Sequence, residues 1–494
     1  MRPSNLGSWS ERLKETLDPT DWEDFRALGR RMLDDLIEHM AGLREGPVWQ
    51  PTSAQAKAAL SRPVPWDPTP LASVYQDFLT HVLPFPTGNA HPRFFGWVMG
   101  NGTAEGMLAD LLASGMNPHV GGYDQSATLV ERQVLAWLRE IMGYPADSGA
   151  LLVSGGTMAN LIGVMVARNS ANPQIRDEGV LGGRRLRVYG SVETHSWIEK
   201  SADLLGLGRS AMRRVAVDER GRIDLRALAS AVAADRAAGE QPLCVIGNAG
   251  TVDGGVIDDL WALADFCADQ GLWFHVDGAF GAVLTFSRIH RERLRGLERS
   301  DSMAFDLHKW GYLQYELGCV LVRDQNKQRA TFVTDASYLE PLGRGIQPDA
   351  LEFSALGPQL SRGFRALRVW IALRHHGIDK IGRVIDGNVE QAQRLVERIV
   401  ADPRLELLGP APLNVVCFRY RPPACSDERR LKAINREILL QLQESGEAVP
   451  SSTQREGRFA LRVAITNHRT RLSDIDRLAD AVLKLGARIA DQIS

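Results

Sequence analysis

Short apolar runs alternate with helix-like stretches through the middle of this chain, and that alternation constrains the fold more than any other feature. The runs are Ala150–Val153, Leu186–Tyr189, Leu243–Ile246, Leu272–Val276, Ser302–Phe305 and Cys319–Val322, and each ends in small or polar residues. Segments with helical patterning, such as Thr157–Ala167 and Asp258–Ala268, lie between most of them. Strand and helix in alternation predict a largely parallel sheet with helices on both faces. In such sheets ligands bind beyond the carboxyl ends of the strands. The residues just after each run are therefore the candidates for chemistry.

The flanks read differently. Phe25, Leu28, Met32, Leu36, Met40 and Leu43 have near-helical spacing. Pro51, Pro63, Pro65, Pro68 and Pro70 then mark an irregular connector. A helix tied on by such a strap packs either on its own domain or against another subunit. Beyond about residue 370 the text predicts a helix at Val384–Ala401, a strand at Asn414–Tyr420 and a helix at Glu428–Ser445. A strand at Phe459–Thr466 and a last helix from Leu472 complete a small α+β domain. The chain divides on this reading into 1–85, 86–370 and 371–494. Its 494 residues fit several cores, since one core rarely grows past about 250–300 residues.

Composition removes other classes. Lys+Arg is 58 and Asp+Glu is 60, a net charge of −2. That balance gives no general drive toward nucleic acid or anionic membrane. No apolar stretch reaches the roughly 18 residues a span needs. The opening MRPSNLGSWSERLKE lacks the apolar core of a signal peptide. The five cysteines form no CxxC pair, which favours thiols in a reducing compartment. A cytoplasmic protein with no nucleic-acid or membrane partner is expected.

The strand ends carry the chemistry. After the first run comes Ser154-Gly155-Gly156-Thr157. Small residues at a helix start let backbone N–H groups approach an anion, although the same text also makes an ordinary turn. No GK[ST] and no GxGxxG accompany it, so neither a P-loop nor a dinucleotide fingerprint is present. Glu193-Thr194-His195 follows the second run; a histidine there is structural or stacks on a flat ligand ring. Asn248-Ala249-Gly250-Thr251 follows the third. The fourth ends in His275-Val276-Asp277-Gly278-Ala279. An aspartate closing an apolar strand needs a partner, and a protonated heterocyclic nitrogen is one. His275 and Asp277 share a strand face, but no third ligand joins them and no metal is expected. The fifth run leads to Asp306-Leu307-His308-Lys309-Trp310. That lysine sits at a surface turn or is buried, and burial would lower its pKa and supply neutral amine for Schiff-base chemistry. An anion cup, a stacking ring, an acid and a lysine are the parts that pyridoxal 5′-phosphate (PLP) requires.

The sequence resembles the group II PLP-dependent amino-acid decarboxylases, the aromatic L-amino-acid and glutamate decarboxylase family. HPRFFGWV (His91–Val98), VSGGTMANL (Val153–Leu161), ETHSW (Glu193–Trp197) and NAGTVDGG (Asn248–Gly255) carry the likeness. So do HVDGAFG (His275–Gly281), AFDLHKW (Ala304–Trp310) and NHRT (Asn467–Thr470). The resemblance implies an α/β PLP-dependent transferase of fold type I, aspartate-aminotransferase-like. Such a protein has a mostly parallel central sheet, a small α+β C-terminal domain, a swapped N-terminal segment and a homodimer.

It also implies roles. Lys309 would form the imine with PLP, and His308 would lie near the phosphate. Asp277 would pair with the pyridinium nitrogen, Ala279 would lie against the ring, and His195 would stack on the other face. Gly156, Thr157 and Met158 take the phosphate-cup positions, and Thr251 the threonine position near the ring. Tyr338 matches the tyrosine of a loop at about 332–353. Two departures stand out: Leu307 replaces a common proline, and Asp306 is acidic beside the phosphate, so a contact there would run through its backbone N–H.

The implied reaction is decarboxylation of an L-amino acid to the amine and CO2, with Tyr338 and His195 handling the proton at Cα. Phenylalanine in place of Tyr338 would instead mark an aldehyde synthase. Trp97, Val98, Met99, Gly100, His119 and Gly121 fall where relatives shape the side-chain pocket. Trp97 and Gly100 favour an aromatic substrate of tryptophan, tyrosine or phenylalanine type. Arg93 keeps an acidic substrate open. A catalytically silent interaction protein is the non-enzyme alternative.

Overall fold

The structure is a computed structural model, and it describes residues 15–180, 182–334, 337, 340–423 and 425–493. Two compact units emerge. One comprises residues up to 46 and 51–86, the other residues 47–50 and 87 onward.

The first unit is helical, with spans Trp22–Ala41, Ala54–Ala59 and Leu71–His81. The long helix starts where the Asp21 side chain accepts from the Glu23 and Asp24 N–H groups, satisfying donors a helix start leaves open. None of its residues is buried, and Trp22, Phe25 and Ile37 are exposed. The Tyr75 hydroxyl donates to Asp35 Oδ2 at 2.7 Å, joining the last helix to the first. The short helix interrupts the stretch expected to be irregular.

The second unit holds two sheets. The larger is built from β2 (Gly149–Val153), β3 (Leu186–Ser191), β4 (Met212–Val215), β5 (Gln241–Asn248), β6 (Trp273–Asp277), β7 (Ser302–Asp306) and β8 (Gly318–Val322). Its order is β2-β8-β7-β6-β5-β3-β4. β8 runs antiparallel to β2 and β7, and the other pairings are parallel. Every apolar run picked out above is a strand of this sheet. β4 was not anticipated, because its text, MRRV, is half charged.

Helices cover the sheet. The helix Leu260–Gln270 links β5 to β6; Asp259 caps its start, Gly271 ends it at φ 62°, and Leu260, Leu263, Ala264 and Cys267 face inward. Glycine accepts that left-handed backbone without a Cβ penalty. The helix Gly156–Ala171 follows β2 directly, so its N-terminus lies at the strand-end edge where the chemistry is expected.

The smaller sheet has order β1-β11-β12-β10-β9, from β1 (Phe94–Phe95), β9 (Leu405–Leu407), β10 (Val415–Tyr420), β11 (Val449–Arg455) and β12 (Arg458–Ala464). The helices Ile378–Ala401, Glu428–Glu444 and Leu472–Gln492 accompany it. β1 pairs in parallel with β11, Phe94 opposite Val449, so a segment far upstream joins the C-terminal sheet. The five cysteines are buried and free. Among the described residues no helix is long and apolar enough to cross a membrane.

Candidate active site

The ends of β2, β5, β6 and β7 and the segment after β3 converge on a cavity of about 260 Å³. Its walls include Gly156, Thr157, His195, Asp277, Ala279 and Lys309 from the candidate set, and Trp97 and Val98 from the expected side-chain pocket.

Asp277 closes β6 and is 7% exposed. The Ala279 N–H donates to its Oδ1 at 3.1 Å and the Trp197 indole N–H to its Oδ2 at 2.5 Å. Among the described residues no cation forms an ion pair with it. A buried carboxylate held only by neutral donors is expensive. It faces the cavity, which suits a cationic ring nitrogen.

Lys309 behaves otherwise than the sequence suggested. Its Nζ lies 2.8 Å from Asp306 Oδ2. Burial pulls the ammonium pKa down, but the Asp306 carboxylate, aided by Asp277 and Tyr315, outweighs it and the pKa rises above the ordinary lysine value. The expectation of a neutral amine is corrected on this point. Asp306 also meets its surroundings through its side chain rather than through its N–H alone.

The anion cup is built by close approach. A Cβ on Gly156 would stand 2.8 Å from Asp306 Oδ2 and 2.9 Å from the Ala279 Cβ; one on Gly155 would stand 3.0 Å from His308 Cε1. Only glycine leaves that space open at the start of a 16-residue helix, where N–H groups and the dipole favour an anion. A phosphate cradle, a lysine and an unpaired buried carboxylate in one cavity fit PLP.

His195 accepts the Trp197 backbone N–H at Nδ1 (3.1 Å), so its neutral ring carries the proton on Nε2. Burial lowers its pKa, and Lys309, Lys200 and Arg214 add to this against the pull of Asp277. His308 lies behind the cup, 6% exposed, with Nδ1 accepting from the Leu317 N–H at 2.9 Å. Burial lowers its pKa too.

Other candidates sit elsewhere. Met158, His308 and Thr251 do not line the cavity; the Thr251 hydroxyl accepts from the Val256 N–H at 3.0 Å. Gly100 is a packing position rather than open space, since a Cβ there would stand 1.6 Å from the His308 carbonyl oxygen. His119 contacts the Tyr123 ring edge-on at 5.3 Å and lies off the cavity, as do Met99 and Gly121. Arg93 donates from Nε to the Glu447 carbonyl at 2.8 Å and does not line the cavity. Tyr338 lies outside the described residues.

Sequence reasoning passed over several wall residues. Arg462, from the middle of β12, is 3% exposed. It donates to the Trp97 carbonyl at 2.9 Å and also to the Val252 carbonyl, and burial lowers its pKa. Trp97 is held at φ 52°, a left-handed backbone that costs about 1–3 kcal/mol. The bond from Arg462 and one from the Trp97 N–H to Ser451 Oγ (3.1 Å) secure it. Ser451, Ser452 and Asp253 complete that wall. Trp197 and Asp253 stood within recognised motifs, but nothing local reveals that the Trp197 indole reaches Asp277.

A family model described as the pyridoxal-dependent decarboxylase conserved domain matches residues 54–421. An aromatic-L-amino-acid decarboxylase of Bacillus atrophaeus is 30% identical over 475 residues, 96% of each chain. An L-2,4-diaminobutyrate decarboxylase of Rhizobium meliloti (strain 1021) is 33% identical over 381 residues, 76% of this chain and 74% of the relative. A crystal structure of Oryza sativa TDC with PLP and tryptamine matches with TM-score 0.89 at 26% identity, covering 96% of this chain and 100% of that one. The chain belongs to the pyridoxal-dependent decarboxylase family, a fold type I enzyme that uses PLP.

Proposed function

We propose that this enzyme decarboxylates an aromatic L-amino acid to the amine, with Lys309, Asp277, His195 and Tyr338 as its working groups. The observation that carries the substrate class is the cavity wall, where Trp97, Val98 and Phe280 stand in the same cavity as Lys309. Flat apolar walls select aromatic side chains, and the Bacillus atrophaeus relative is an aromatic-L-amino-acid decarboxylase by name.

Bound PLP supplies the electron sink for the pair left at Cα when the carboxylate departs as CO2. Lys309 would offer the amine that tethers the cofactor. Asp277 would hold a proton at the ring nitrogen. The N–H groups at Gly156 and Thr157 would bind the phosphate, and Ala279 and His195 would enclose the ring. The bond between Cα and the carboxylate carbon breaks, and one proton replaces CO2 at Cα. His195, neutral with its proton on Nε2, and Tyr338 deliver that proton; the part given to Tyr338 rests on the resemblance.

A second reading comes from Asp253, whose place on the wall suits a cationic side chain. The Rhizobium meliloti relative decarboxylates L-2,4-diaminobutyrate by name. The acidic-substrate alternative moves from Arg93 to Arg462, which does face the cavity. A panel of L-amino acids with PLP-loaded enzyme, read for amine, aldehyde and hydrogen peroxide, separates these readings. Amine from tryptophan, tyrosine or phenylalanine without peroxide supports the proposal. Preferred turnover of 2,4-diaminobutyrate or glutamate overturns the substrate class, and aldehyde with equal peroxide overturns the role of Tyr338.

We also infer a homodimer. Leu108, Leu111, Leu112 and Met116 are exposed along the helix Ala104–Met116, an apolar row typical of a covered surface. Five free buried cysteines suit a cytoplasmic setting.

A further inference from the structure

Trp197 occupies an unusual position between two parts of the site. It is 3% exposed and opens the helix Trp197–Leu204. Its backbone N–H donates to His195 Nδ1 at 3.1 Å, and its indole N–H donates to Asp277 Oδ2 at 2.5 Å. Its ring meets His275 edge-on, centroids 6.0 Å apart. One residue thus touches both the ring-stacking histidine and the carboxylate opposite it.

The groups around Asp277 make that indole bond matter. His275 is fully buried, two residues back on β6. Its Nδ1 meets Ser302 Oγ at 2.8 Å and its Nε2 meets Asn160 Oδ1 at 2.7 Å. Burial takes its pKa to about 4, so it brings no positive charge to Asp277. Lys309 is paired with Asp306. His195 is neutral at pH 7, since burial lowers its pKa. Besides the Ala279 N–H, the Trp197 indole is the described donor on this carboxylate.

We infer that Trp197 is a positioning residue for the cofactor. Its indole N–H aims the Asp277 carboxylate and stabilises its charge, so that the shared proton stays on the ring nitrogen and the ring remains a strong electron sink. This rests on the reading that Asp277 faces that nitrogen. A hydrogen bond to the ionised form lowers carboxylate basicity. Without the indole donor the carboxylate keeps the Ala279 N–H alone among its described donors.

The test uses holoenzyme loaded with PLP labelled with 15N at the ring nitrogen. In the unaltered protein the nitrogen resonates at its protonated position. In Trp197→Phe it moves toward the neutral-pyridine position, the cofactor dissociation constant rises about tenfold, and kcat falls with little change in KM. In Trp197→Gln the side-chain nitrogen is the same number of bonds from Cα as the indole nitrogen, and the resonance returns. Should Trp197→Phe fail to fold, Trp197→Gln against Trp197→Met, equal in length with and without a donor, carries the same comparison. An unmoved resonance in Trp197→Phe, or equal shifts in the Gln and Met variants, overturns the inference. Asp277→Asn separates the two levels. If it moves the resonance while Trp197→Phe does not, only the role of Trp197 falls; if it too leaves the resonance unmoved, Asp277 does not face the nitrogen.

Discussion

Replacing Asp306 by asparagine should speed the capture of cofactor by the free lysine, contrary to the usual effect of removing a buried partner. Lys309 Nζ and Asp306 Oδ2 are 2.8 Å apart, with side chains 27% and 1% exposed. The ion pair favours the charged ammonium and raises the Lys309 pKa. Asp306→Asn removes the largest upward influence on Lys309 and leaves burial, which lowers its pKa, against the smaller pulls of Asp277 and Tyr315. Well below that pKa the neutral-amine fraction rises about tenfold per unit of lowering. Covalent capture at neutral pH should therefore accelerate. Stopped-flow absorbance with cofactor-free protein measures this, with pyridoxal as the probe because it lacks the phosphate and so removes the anion cup from the comparison. Stability supplies the second reading. The folded-state pKa is raised, so the pair's contribution is fully present below the unfolded value near 10.5 and is lost as pH rises through the folded value. That alkaline loss should vanish in the variant. A capture rate that is unchanged or slower from mildly acidic to mildly alkaline pH refutes the argument.

Other perturbations follow from the same geometry. Gly156→Ala places a Cβ 2.8 Å from Asp306 Oδ2 and 2.9 Å from the Ala279 Cβ; overpacking of this kind costs about 1–3 kcal/mol, so PLP affinity should drop by about five- to a hundredfold by fluorescence titration. Because burial lowers the His195 pKa from 6.5, the acid limb of kcat/KM that reports this group should fall below pH 6.5, and a limb at or above it removes His195 from that role. Arg362 and Glu131 are a fully buried pair, and Arg362 also donates to the Val120 and Leu152 carbonyls. Arg362→Met should lower stability by about 3–5 kcal/mol in urea unfolding, with much of it recovered by adding Glu131→Gln.

What the sequence disclosed tracks how local each cause is. The strands at the centre of the parallel sheet are buried on both faces, so they read as unbroken apolar runs. β4 hides because its arginines serve ion pairs: Arg213 meets Asp235 and Glu240, and Arg214 meets Glu199. β11, with text VPSSTQR, hides because Ser451 and Ser452 face the cavity. β1 is two residues long and gains its identity from Val449 and Pro450. That Asp277, His195 and Lys309 would meet around one cavity was legible because strand ends restrict where side chains can converge. The sign of the Lys309 shift was not, since it depends on the rotamer of Asp306, a residue three positions away that sequence alone aimed at the phosphate. Trp197 and Arg462 act across the fold, on Asp277 and on the Trp97 carbonyl, and no window of sequence contains such contacts.

The two aspartates at the ends of neighbouring strands also set how folding responds to the cofactor. Asp306 takes the lysine, which leaves Asp277 with the Trp197 and Ala279 N–H donors and no ion pair among the described residues. A buried carboxylate without an ion pair carries a desolvation cost that two N–H donors offset only in part. The cofactor-free enzyme therefore carries a strain that a cationic ring nitrogen removes. Asparagine at 277 abolishes the buried charge but also the partner for that nitrogen, so its effect should change sign with the cofactor. Cofactor-free Asp277→Asn should unfold at a higher temperature than its cofactor-free parent. With PLP present the order should reverse, because the parent gains about 4 kcal/mol at a thousandfold excess over Kd and the variant gains less. Thermal unfolding of the four samples decides it: a variant less stable in both states means Asp277 is a structural carboxylate, compensated in the fold without any cofactor.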